Sequence, residues 1–126
     1  MQTGDQVRCT YKTGKYIGRI HELRRDGVQA VVEILAVDRH PIQGDLHQPN
    51  KTDVPLFHER KALSFREKAN IPLKQIKPHE GEIPEYDRSL QEAVAAYEQE
   101  LEEKDSAFAE ACLQTLHRVK ADYRIS

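Results

Sequence analysis

Hydrophobic and polar residues alternate at the start of the chain, with Val7, Cys9 and Tyr11 set against Arg8, Thr10 and Lys12. That period of two is the mark of a strand with one buried face. Thr13-Gly14-Lys15 supplies a short turn through a glycine that tolerates positive φ. A second strand is expected over residues 16–23, in which Gly18 marks a bulge or a close approach of another backbone. Asp26-Gly27 is a stronger hairpin signal. Residues 28–37 (VQAVVEILAV) are apolar on both faces for much of their length, as in a strand that crosses a curled sheet. Three antiparallel strands joined by short hairpins predict a small barrel or a strongly bent sheet.

The pattern then breaks. Residues 38–56 form a long connection containing Pro41, Gly44, Pro49 and Pro55, longer than compact domains keep without a functional or disordered segment. Residues 57–69 read as helix or strand, with an extended segment around Leu63 and Phe65 that returns to the sheet as the favoured form; Asn70 to Lys74 reads as one tight turn, and residues 75–77 as a last short strand. From residue 84 the period changes to about 3.6, with one apolar stripe at Leu90, Val94, Tyr97 and Leu101 and a second at Phe108, Cys112, Leu116, Val119 and Tyr123. Ser89 and Glu92 match a capping box, although a start one turn earlier near Pro84 fits as well. Asp105-Ser106 ends the first helix and caps the second. The expected architecture is α+β: a small SH3-like antiparallel β-barrel over residues 1–81, then an antiparallel helical hairpin over 82–126, packed on the barrel or on a partner.

Composition narrows the function classes. The 126 residues suffice for one domain, with 38% apolar and 32% charged side chains. No apolar run approaches a membrane span, and the opening Met1-Gln2-Thr3-Gly4-Asp5 lacks the features of a signal peptide, so a cytoplasmic protein without direct membrane insertion is expected. Charge is unevenly spread: residues 1–80 carry a formal +4 and residues 81–126 a formal −6. Such asymmetry suits a basic binding face, or two parts of one chain that attract each other.

Candidate chemistry is sparse. His40, His47, His58 and His79 lie among Asp45, Asp53 and Glu59, but their spacing matches no metal-ligand motif, so no metal or other cofactor is called. Cys9 and Cys112 fall on apolar faces, where a thiol is an inert core residue. Neither a nucleophile elbow nor a glycine-rich phosphate loop occurs, and no catalytic residue is assigned. A nucleic-acid-binding barrel is the rival reading, using Arg8, Lys12, Lys15, Arg19, Arg24 and Arg25 around Tyr11 and Tyr16. The chain's overall acidity, with a pI near 6.3, argues against it.

Gly4-Asp5-x-Val7, the run from Tyr11 to Gly18, His40-Pro41-x-Gln43-Gly44-Asp45-Leu46-His47-x-Pro49, Asp53-Val54-Pro55, Phe57-His58-Glu59-Arg60 and Ala69-Asn70-Ile71-Pro72 together resemble the kinase-associated protein B family of sporulating bacilli, also called kinase-associated lipoprotein B. The resemblance spans nearly the whole chain. It implies a non-enzymatic accessory of a membrane sensor histidine kinase, or of another phosphorelay protein, in the pathway that initiates sporulation. A lipidated cysteine follows an apolar export segment, whereas Cys9 follows Thr3-Gly4-Asp5-Gln6-Val7-Arg8, so membrane association is expected through a partner. A homodimer through the helices is compatible with the sequence. Because binding residues concentrate on loops held by rigid scaffolds, the candidate partner surface is His40, Gln43, Asp45, His47, His58, Glu59 and Arg60. The competing role for the same residues is to lock an irregular segment over one end of the barrel.

Overall fold

A computed structural model describes residues 1–44 and 58–123. Strands β1 (Gln6–Tyr11), β2 (Gly14–Leu23), β3 (Gln29–Arg39) and β4 (Lys68–Pro72) are followed by a 3-10 turn (Leu73–Gln75) and a short β5 (Ile76–Pro78). Helices α1 (Tyr86–Lys104) and α2 (Ala107–Tyr123) complete the chain. The strands pair antiparallel in the order β4-β3-β2-β1-β5. Among the described residues β4 and β5 are free edges, so the sheet is curled but not the closed barrel expected. Both edges are short and end in proline, which blunts further strand addition.

Sequence pattern accounts for most of this. Val7, Cys9, Tyr16, Ile20, Val32, Ile34, Ile71 and Ile76 bury on one side of the curl. The helices share that core through Leu90, Val94, Tyr97, Leu101, Cys112 and Leu116, so sheet and hairpin fold around one apolar centre. β3 is buried on both faces, as its apolar run requires, because α1 packs across it.

Local details depart from the expectations in two places, and a third selects the earlier of the two expected starts for α1. The first hairpin turns on Lys12 and Thr13, both in the left-handed region at φ 45° and 72°, with Tyr11 opposite Gly14. Gly14 serves space instead, since a Cβ there would lie 2.9 Å from the Tyr16 ring. Asn70 and Ile71 belong to β4, and the tight turn is the 3-10 segment after Pro72. Helix α1 starts three residues before Ser89, whose Oγ donates to the Tyr86 carbonyl at 2.7 Å and accepts the Val37 N–H at 2.9 Å. The capping-box serine is thus a clamp between helix and sheet. At the next junction Asp105 adopts φ 42° and Ser106 Oγ accepts the Ala109 N–H at 3.0 Å, the cap expected for α2.

Gly18 marks a register shift in β2, and a Cβ there would collide with the Glu33 carbonyl and sit 2.8 Å from Val32 Cγ1. Gly18→Ala is expected to lower unfolding free energy by about 1–3 kcal/mol through overpacking. Denaturant melts of the two proteins would check this, and a loss under a few tenths would show that β2 and β3 can separate without cost.

Candidate functional site

The segment leaving β3 turns inward. His40 is 1% exposed and Gln43 is fully buried, so neither offers surface to a partner while the fold is intact. His58 and Glu59 are exposed and Arg60 is half-buried, while Asp45 and His47 lie outside the described residues. His40 and Gln43 are brought against residues 58–60, which return beside residues 41–44.

Gln43 acts as a buried peptide group. Its Nε2 donates to the carbonyls of Arg60 at 2.9 Å and Pro41 at 3.1 Å, and its Oε1 accepts the Arg60 N–H at 2.9 Å. Its own N–H donates to Tyr97 Oη at 2.9 Å, and its carbonyl accepts from Cys112 Sγ at 3.7 Å. Arg60 completes the bridge from its side chain, with Nη1 donating to the carbonyls of Ile42 at 2.8 Å and Gly44 at 2.6 Å. The Gly44 N–H donates to the His58 carbonyl at 2.8 Å. Two irregular strands of chain thereby satisfy each other without a sheet.

Beside Gln43, His40 stacks on Tyr97 with ring centroids 5.9 Å apart. Its Nδ1 lies 2.9 Å from the Pro41 carbonyl, which can only accept, so the neutral ring carries its proton on Nδ1. Nε2 is then an acceptor for the Tyr123 hydroxyl at 2.7 Å, and that hydroxyl in turn accepts the Ala62 N–H at 2.7 Å. Burial pushes the His40 pKa below its ordinary 6.5, partly offset by the bond to Pro41.

What the sequence reading passed over is the bonding of the tyrosine hydroxyls. Four of the five serve backbone groups of the irregular segment. Tyr97 takes the Gln43 N–H, Tyr123 takes the Ala62 N–H, Tyr16 takes the Leu63 N–H at 3.2 Å, and Tyr86 donates to the Leu63 carbonyl. Desolvation raises the Tyr16, Tyr97 and Tyr123 pKa values to about 12, so these hydroxyls remain protonated. For Tyr97 and Tyr123 the signal was present in the stripes: a tyrosine where Leu or Phe would suffice brings a hydroxyl that needs a buried partner.

Other candidates are placed as follows. Tyr16, proposed as a stacking platform, is 1% exposed, and Arg19 is bonded to Glu33 at 2.8 Å, so the basic face is not one continuous stripe with open aromatic rings. Glu33 also holds Arg66 at 3.1 Å, and these two guanidinium groups keep its carboxyl below the usual range. Both cysteine thiols are buried, and burial raises the Cys9 pKa to about 12 and pushes Cys112 upward. Among the described residues no cluster of three or more His, Cys, Asp or Glu is placed to hold a metal ion, and no helix is long and apolar enough to cross a membrane.

What stays accessible near the loop base is a cleft of about 410 Å³ between the first hairpin and the returning segment, lined by Tyr11, Lys12, Glu59, Arg60, Lys61 and Glu67 among others. An α+β unit with a buried polar lock beside a mixed-charge cleft is the class of protein that fold and site define. Comparison with known proteins specifies it. The sequence profile described as Kinase associated protein B matches residues 11–124. A relative named Kinase-associated lipoprotein B, from Bacillus subtilis (strain 168), is 45% identical over 122 residues, covering 97% of this chain and 94% of the relative. The X-ray crystal structure of kinase-associated protein B from Bacillus cereus superposes with a TM-score of 0.83 at 41% identity, covering 98% of both chains. The chain belongs to the kinase-associated protein B family.

Gln43→Ala would leave the Arg60 N–H and carbonyl without their partner, while the Pro41 carbonyl keeps the His40 Nδ1 donor, and is expected to cost about 2–4 kcal/mol of stability. A melt unchanged by this substitution would show that water replaces the amide. Acid should also weaken the fold. Because the folded-state pKa of His40 is depressed, the unfolded chain binds a proton first as pH falls below 6.5; the stability this residue contributes is complete above that value and is lost toward the lower folded pKa. Thermal melts from pH 7.5 to pH 5 on the wild type and His40→Asn should show a steeper decline in the wild type.

Proposed function

We propose that this protein is a non-catalytic accessory of a membrane sensor histidine kinase in the phosphorelay that starts sporulation, reading the curled sheet as an SH3-like scaffold. Family membership carries this reading, because the relative of known name is called kinase-associated and matches over nearly the whole chain. The chemistry near the loop agrees with it: His40 and Gln43 are fully engaged in holding the fold, and the buried thiols are poor nucleophiles. Contact with the kinase is assigned to His58, Glu59 and the exposed edge of Arg60, together with Tyr11 and Lys12 across the cleft. The protein stands on the cytoplasmic side of the membrane and reaches it through its partner. The relative's name includes lipoprotein; acylation of Cys9 or Cys112 would require opening the core that buries them.

Calorimetric titration with the cytoplasmic part of the cognate kinase tests the assignment. The double variant His58→Ala and Glu59→Ala should bind at least about tenfold more weakly, a loss of about 1.4 kcal/mol, with its melting temperature unchanged. Wild-type affinity in that variant moves the contact elsewhere, and no binding by the wild-type chain overturns the accessory role.

A further inference from the structure

On the other side of Tyr16 lies a second cleft, about 410 Å³, whose walls carry Arg8, Thr10 and Lys15 from the first hairpin and Lys74 and Lys77 from the 3-10 turn and β5. All four cationic side chains belong to exposed residues. Eight Lys or Arg side chains elsewhere in the described residues form ion pairs, yet none of these four does. Arg8 and Lys77 are direct partners across the β1–β5 ladder. Like charges in that position oppose folding, so the arrangement is one that stability alone would not keep. The nearby acid, Asp38, leaves the cleft with a clear positive excess.

We propose that this cleft docks a carboxylate-rich segment of another protein, whose acidic side chains would meet Arg8, Lys15, Lys74 and Lys77. Charge complementarity calls for an anionic occupant, and two features favour carboxylates over a nucleic acid. The ring that lines the cleft, Tyr16, is buried and gives no base a stacking surface, and the whole chain carries a formal charge of −2, unsuited to a long polyanion. The assignment stands whether or not the partner is a kinase.

A fluorescein-labelled peptide of alternating Glu and Gly, its Gln-Gly counterpart and an oligouridylate serve as probes in anisotropy titrations of the full chain. The Glu peptide should bind saturably at about 20 mM salt and several-fold more weakly at about 200 mM, and the Gln peptide should not bind. Lys74→Glu with Lys77→Glu should weaken it at least about tenfold, whereas Arg24→Glu with Arg25→Glu, on the far hairpin, should leave it unchanged. The melting temperature of Lys77→Glu should equal or exceed that of the wild type, because the new carboxylate faces Arg8. Should the reversal unfold β5, Arg8→Gln with Lys74→Gln provides the same comparison. Absence of Glu-peptide binding at low salt, equal loss in the Arg24 and Arg25 control, or tighter binding of the oligouridylate than of the peptide overturns the proposal.

Discussion

One buried side-chain amide holds the irregular part of this protein to the regular part. Gln43 presents donor and acceptor to the backbone of residue 60 much as a neighbouring strand would, while its own peptide group is bound by Tyr97 of α1 and Cys112 of α2. An unmet polar group at such a depth costs several times what a surface hydrogen bond contributes. The bonds are therefore strongly coupled: the path of the chain after β3, the return at Arg60 and the seating of both helices each depend on the others.

The helical hairpin follows from that coupling. Its apolar stripes fill the concave side of the sheet, and its tyrosines reach past the stripe to cap peptide groups that no strand could serve. Ser89 extends the same device to the end of β3. Helices of this length are marginal in isolation, and the irregular segment has no ladder of its own; each supplies what the other lacks.

Charge organises the exterior in a complementary way. The sheet part is basic and the helical part acidic, and Arg39–Glu100, Lys61–Asp122 and Arg118–Glu59 join the two. Exposed pairs of this kind contribute little one by one. Four cations without an ion pair, Arg8, Lys15, Lys74 and Lys77, line one cleft between the first hairpin and β5. A surface with its charges already paired is a poor electrostatic target, and one with an uncompensated cluster steers oppositely charged partners.

Periodicity made the first three strands, the two helical stripes and the Asp105-Ser106 break readable from residues alone, because burial on one face repeats every two or 3.6 positions and caps act over three residues. Family resemblance was equally readable, since it lies in contiguous motifs. The first turn was misassigned to Gly14 because Lys12 and Thr13 hold a left-handed backbone that their residue types disfavour. Thr13 keeps that conformation with its hydroxyl accepting the Ile42 N–H, a contact 29 residues away. The open sheet edge, the inward turn of His40 and the work of Gln43 belonged to tertiary structure. Gln43 finds its partners 17, 54 and 69 residues distant, and nothing in a local window distinguishes an amide that will bridge such distances from one that will meet water. Local pattern determines which face of each element is apolar; only packing decides which polar groups are left inside, and hence which remain outside for a partner.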